Sequence, residues 1–188
     1  MEPTDAEKAT SETVQAIAEG HSATAEFCQR PLVKLYRSIL SPPEVDIPNN
    51  LTLMTLAGPG MLSRKPYLLV DDEAGALLAF CYLGPRLAGH SQIVHGGMAG
   101  VLLDECMGRA CFPRLEGKIA VTAKLELEYK SPIGTDSVVL IRAETTEVQG
   151  RKAWVRATIE SVEDGTVFVV GKGLFVEPKW SANLPKMM

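Results

Sequence analysis

The segment that decides the reading is IVHGGMAGVLLDECMGRACF, residues 93–112. It opens with His95, Gly96 and Gly97 and continues into an apolar stretch in which Asp104 stands among Val101, Leu102, Leu103 and Met107. The spacing predicts a helix over about 96–112. A Gly-Gly pair at a helix start leaves backbone N–H groups sterically open, and the helix dipole adds partial positive charge there. Such an end can hold an anion or a developing oxyanion. A carboxylate inside an apolar helix is costly unless it is paired or used. Gly100 and Gly108, at i−4 and i+4 from Asp104, imply close packing against that face.

Asp104 lies about two turns beyond the glycines, roughly 10 Å along the axis by helix rise. The glycine amides and this carboxylate therefore cannot meet at one carbonyl carbon within one chain. If both serve one reaction, a second copy must supply one of them, with the two helices antiparallel. The plain alternative is a turn followed by a solvated carboxylate.

Working outward, the chain beyond residue 112 is a series of strands. KIAVTAKLELEYKSP alternates, with Val121, Ala123, Leu125, Leu127 and Tyr129 on one face and Thr122, Lys124, Glu126 and Glu128 on the other. DSVVLIRAETTEV and KAWVRATIESVE flank QGR, a hairpin turn, and TVFVVGKGLFVEP is the last strand. Upstream, KPYLLVDD and ALLAFCYLG flank the turn DDEAG. LTLMTLA, from Leu51, reads as another β-like run. Leu32, Leu35, Tyr36, Ile39 and Leu40 share a helical face, stopped by SPP at 41–43. Residues 1–22 suggest a marginal helix. The expected architecture is a central helix in a single antiparallel sheet, preceded by one or two helices. The expected divisions are an extension over 1–50, a domain over 51–178 and a tail over 179–188.

With 188 residues, the chain suits one domain with a full core. A net charge of −4 without a basic stripe argues against a nucleic-acid partner. The longest apolar runs are too short to span a bilayer. The acidic N-terminus MEPTDAEKATSETVQA resembles neither a signal nor a transit peptide, so a cytoplasmic location is expected. Cys28, Cys81, Cys106 and Cys111 have no metal-type spacing, and three scattered histidines build no zinc site, so no metal is expected. Cys106 and Cys111 read as small core residues, and Trp154 and Trp180 as packing anchors.

The combination of His-Gly-Gly, an Asp nine residues after the His, and a Thr opening the strand that runs to EYKSP resembles the hot-dog thioesterase superfamily, especially its acyl-CoA thioesterases of the phenylacetate-pathway and thioesterase-superfamily-member type. The similarity spans about 50–178 and includes GRKAWV. It implies an α+β hot-dog fold, an antiparallel sheet wrapped around a central helix. It also implies hydrolysis of an acyl thioester of CoA or of an acyl carrier, by a homodimer or tetramer, with no cofactor beyond the CoA of the substrate. On that resemblance the Gly96 amide polarises the thioester carbonyl, with Gly97 beside it at the helix start. Asp104 is general base or nucleophile, Thr122 orients the water or the Asp, and His95 positions substrate or loop. Some relatives carry an Asn six residues before the motif His. Here that position is Gly89, and Gln92 is the substitute chosen from the loop LAGHSQIV. Strict alternation puts Thr122 on the charged face, so either that face borders the site or a bulge turns Thr122 around. Lys130 is placed to meet a CoA or carrier phosphate. Rival readings are a hot-dog dehydratase or hydratase, a secondary-metabolite thioester-processing enzyme, and a non-catalytic acyl-CoA-binding module.

Overall fold

The computed structural model describes residues 4–39 and 44–180. Its elements are α1 (Asp5–Gly20), α2 (Ser22–Phe27), β1 (Val33–Tyr36), β2 (Tyr67–Asp71), β3 (Ala76–Leu83), β4 (Ala88–His90), β5 (Ile93–Val94), α3 (Gly96–Cys111), β6 (Val121–Tyr129), β7 (Ser137–Gln149), β8 (Lys152–Ser161) and β9 (Val167–Val176). Seven strands form one antiparallel sheet in the order β1-β2-β3-β7-β8-β9-β6, while β4 and β5 pair separately. This is the hot-dog arrangement, with α3 as the central helix.

The front of the sheet wraps α3. Leu102, Leu103, Cys106, Met107 and Ala110 pack there against Leu77, Ala79, Ile141, Val155, Ile159 and Phe175. Two glycines of β9 let the helix come close. A Cβ on Gly171 would meet Leu103 and Met107 at 3.1 and 3.2 Å, and one on Gly173 would sit 2.6 Å from the Phe175 ring and 3.3 Å from Met107 Sδ. Gly173→Ala is therefore expected to overpack the core by about 1–3 kcal/mol. A lower denaturation midpoint with an unchanged m-value would report it.

The back of the sheet is covered at β2 and β3 by the N-terminal helices. Val14 and Ala18 of α1 and Ala23 and Phe27 of α2 pack on Tyr67, Leu69, Leu78, Phe80 and Leu140. Burial on both faces explains why β2 and β3 carry continuous apolar runs, whereas β6 alternates. The marginal helix of the sequence reading gains its stability from this packing and from a capping box. Thr4 Oγ1 accepts from the Glu7 N–H, and Glu7 Oε2 accepts from the Thr4 N–H. Glu7 also takes the Arg64 Nε–H at 2.6 Å, tying α1 to the loop before β2.

Three expectations change. Residues 32–39 do not supply a helix: Val33–Tyr36 is the strand β1, paired with β2, and Leu32 and Leu35 are exposed. Leu40 and the SPP at 41–43 lie outside the described residues, as does the tail from 181 onward. Leu51–Thr55 is not a strand but one turn of π-helix, with Asn50 as its N-cap. Trp180 is no packing anchor, being 56% exposed.

The C-terminal end of α3 is pinned by a buried cation. Arg109 donates from Nη1 to Asp72 Oδ1 at 3.0 Å and lies 4.8 Å from the Tyr36 ring centroid. A positive charge in the last helical turn also complements the dipole. Arg109 thus fixes the depth and rotation at which α3 presents Asp104.

Candidate active site

Four amides at the start of α3 need partners, and three have them. The His95 N–H donates to Leu87 O at 2.8 Å and the Met98 N–H to His95 O at 2.9 Å. The Gly97 N–H donates to His95 Nδ1 at 3.0 Å. The Gly96 N–H has no partner among the described residues, and Gly96 is exposed. The helix start therefore offers one open amide, at the position the sequence reading gave the carbonyl. The Gly97 amide, placed beside it as a substrate contact, is occupied by the His95 cap. With Nδ1 accepting, a neutral His95 ring carries its proton on Nε2. Tyr129, which the alternation of β6 marks only as a strand residue, belongs to this site. Its hydroxyl donates to Gly96 O at 2.9 Å and holds the peptide that follows the open amide.

Asp104 meets Thr122 at the other end of β6. Thr122 Oγ1 donates to Asp104 Oδ1 at 2.7 Å. The alternation problem is resolved by a bulge. Thr122 pairs with Phe175 and Lys124 with Leu174, so Ala123 is an extra residue in β6. The bulge turns Thr122 to the front with Leu125, Leu127 and the core-facing Phe175, and leaves Lys124 and Glu126 on the back. Asp104 is half-buried rather than buried. Its flanking glycines are closely packed: a Cβ on Gly100 would meet Leu127 at 3.4 Å, and one on Gly108 would meet the Phe112 ring at 3.1 Å.

The Gly96 amide and the Asp104 carboxylate are eight residues apart on one helix, about 12 Å by helix rise. Within one chain they form two half-sites. The first opens on a groove of about 530 Å³, lined by His90, His95, Gly96, Tyr129 and Lys130 among others. That volume is in the range of small-molecule sites. Lys130 borders the groove, with its Nζ paired with Glu128. Gln92 does not line it. Gln92 sits in the β4–β5 turn with φ 61°, and its carbonyl accepts from the Thr135 N–H. His90 borders the groove instead. At Gly89 a Cβ would come 2.9 Å from His95 Cα and 3.0 Å from Cδ2, so the motif histidine occupies the room an Asn side chain would leave from.

Sequence reasoning treated Asp104 as the lone carboxylate of α3 and passed over its neighbour. Glu105 is the more deeply placed of the two. Burial, with the nearby Asp104 charge adding to it, pushes its carboxyl up to about 7 against the opposing hydrogen bond from Thr52. The signal was the adjacent acidic pair itself. Cys106 and Cys111 are core residues as expected, and burial pushes both thiols up, Cys111 to about 12. Among the described residues no His, Cys, Asp and Glu cluster could hold a metal ion, and no helix is long and apolar enough to cross a membrane.

Comparison with known proteins agrees with this fold. The thioesterase superfamily profile matches residues 91–168, from the β4–β5 turn into β9. The chain belongs to the thioesterase superfamily. An uncharacterized mitochondrial protein of Candida albicans is 30% identical over 155 residues, covering 80% of this chain and 70% of that protein. The mouse acyl-coenzyme A thioesterase THEM4 is 34% identical over 94 residues, 50% of this chain and 40% of the relative's length. A crystal structure of a thioesterase superfamily protein superposes with TM-score 0.53 at 29% identity, covering 60% of this chain and 54% of that one. The cytoplasmic placement finds no support in the mitochondrial naming of the Candida relative.

Proposed function

We propose that this protein hydrolyses an acyl thioester, of CoA or of an acyl carrier, to the free acid and thiol. The observation that carries the reading is the pair of complementary half-sites on α3. One is an open amide donor at Gly96, and the other is a half-buried carboxylate at Asp104, oriented by Thr122. A thioester needs its carbonyl polarised and an attacking water deprotonated. The Gly96 N–H supplies the first and Asp104 the second. The Thr122 hydroxyl proton is committed to Asp104 Oδ1, which leaves Oδ2 toward the water and a Thr122 lone pair to accept from it.

The two half-sites combine across a homodimer in which the α3 helices run antiparallel, so that each Asp104 faces the partner's helix start. The sheet supports a second copy. Among the described residues β6 is an edge strand with its outer ladder unpaired, and it exposes Val121 and Tyr129. The groove beside His95, Tyr129 and Lys130 then receives the pantetheine and phosphate portions. THEM4, named as an acyl-coenzyme A thioesterase, favours CoA as the thiol.

The test is thiol release from short, medium, long and aromatic acyl-CoAs, and from the same acyl groups on a carrier protein. Turnover of at least one class is expected. No turnover of any of them would overturn the reading.

A further inference from the structure

The segment ahead of β2 is built inside-out. In the turn Leu51–Thr55 the polar Thr52 points inward and is buried, while Leu51 and Met54 are 49% and 40% exposed. A surface segment of a soluble domain ordinarily does the reverse. The turn is a π-helix, closed by the Leu56 N–H donating to Leu51 O at 2.8 Å, a geometry that occurs disproportionately at functional sites. Its anchor lies on α3. Thr52 Oγ1 is 2.8 and 2.9 Å from the two oxygens of Glu105, the residue after Asp104. It is also 3.1 Å from Asn50 Oδ1, which accepts the Thr52 and Leu53 N–H groups. Beneath the turn is a cavity of about 30 Å³ bordered by Ile39, Leu53, Leu62, Cys81, Leu102 and Glu105, so the turn rests on a floor with some give.

We propose that the Leu51–Thr55 turn is the wall that selects the acyl chain, and that Glu105 is the positioning residue that holds it there through Thr52. The inference rests on the thioesterase reading. The argument is one of place and chemistry. The turn stands beside α3 at the level of Asp104, within one side-chain hydrogen bond of the next residue. An acyl chain leaving a carbonyl at Asp104 needs an apolar wall at that level, and Leu51 and Met54 supply one facing outward. The occupant is therefore the hydrocarbon part of the substrate.

The Glu105 link is proton-sensitive. Thr52 has one hydroxyl proton and three oxygens around it. A neutral Glu105 donates to Thr52, which then donates to Asn50, and every group is satisfied. An ionised Glu105 must take the Thr52 proton for itself and sit charged in a largely apolar site. The titrating groups near it are Asp104 on its own helix, whose charge raises its carboxyl, and the thiols of Cys81 on β3 and Cys106 on α3, which the Glu105 charge pushes up in turn. The turn itself contributes only Asn50 and Thr52, which do not titrate. Arg64, on the cavity wall, is engaged by Glu7. The seated turn thus holds a proton that a released turn gives up. Seating is strongest in acid and weakens as pH rises from the ordinary carboxylate range through about 7.

The test compares Leu51→Ala, Met54→Ala and Glu105→Gln with the wild type, reading the ratio of kcat/KM for long against short acyl-CoAs. Both alanine variants are expected to lower that ratio about tenfold or more, the scale of losing apolar contacts to a substrate chain. Glu105→Gln, which cannot ionise, is expected to flatten the pH dependence of the ratio between pH 6 and 8. Ratios unchanged in both alanine variants would overturn the proposal while leaving hydrolysis itself established. A binding readout separates the two failures. A non-hydrolysable long-chain acyl-CoA thioether should slow amide hydrogen exchange at residues 51–56 whether or not the protein turns over. Unchanged exchange there, with the thioether bound, would also overturn the proposal.

Discussion

Asp104→Asn is expected to lower kcat for thioester hydrolysis about 10²-fold or more, with KM little changed, as removal of a general base predicts. The substitution keeps the shape of the side chain and an oxygen that can still accept the Thr122 hydroxyl, now 2.7 Å away. It removes the negative charge that takes a proton from water or attacks the carbonyl. Because Asp104 is half-buried and outside the core, stability should change by no more than about 0.5 kcal/mol. The measurement is steady-state thiol release beside a denaturation curve. A variant within a few-fold of wild type would remove Asp104 from the chemistry. A large loss of stability would instead make it a structural residue.

The parts of this site that could be read from the sequence are those encoded locally. His95-Gly96-Gly97 followed by an apolar stretch fixes the start, length and buried face of α3, since capping, glycine steric freedom and helical periodicity all act within a few residues. The alternation of residues 121–129 likewise identifies β6 as half-solvated. The conflict over Thr122 is legible as a conflict: strict alternation puts it on the charged face, so either that face borders the site or a bulge turns Thr122 around. The pairing of Thr122 with Phe175 fixes which, because strand register depends on a partner fifty residues away in the chain.

What escaped the sequence depends on tertiary contact. Leu32, Leu35, Tyr36 and Ile39 have helical spacing, yet the exposed edge of β2 offers a hydrogen-bond ladder, and pairing with it wins over a periodicity of a few residues. Residues 51–57 have the composition of a strand, but Asn50 caps two amides and Thr52 reaches Glu105, which curls the segment into a π turn. The burial of Glu105 and of Arg109 is equally non-local. Each depends on an element far away in the chain, the turn before β2 for one and the β2–β3 turn for the other.

Gly96→Pro is expected to cost about 10²–10³-fold in kcat, the scale of losing one oxyanion donor. The structure accommodates the change. Gly96 is the first helical residue, where proline is favoured, and its N–H has no partner among the described residues to lose. His95, at φ −60° and ψ 129°, already has the extended conformation that a residue before proline requires. A Cβ at position 96 would lie 3.5 Å from the Tyr129 ring, an ordinary contact. Gly96→Ala adds the same Cβ and keeps the amide, so it separates steric from donor effects. The pair also tests the shared site. Neither Asp104→Asn nor Gly96→Pro should be active alone. When the two variants assemble at random into dimers, half are mixed, and each mixed dimer has one site with both defects and one with neither. Activity should then recover to about a quarter of the wild-type rate. A site built within one chain has no intact copy in any such mixture and would stay inactive, which would place the Gly96 and Asp104 groups in separate roles rather than at one carbonyl.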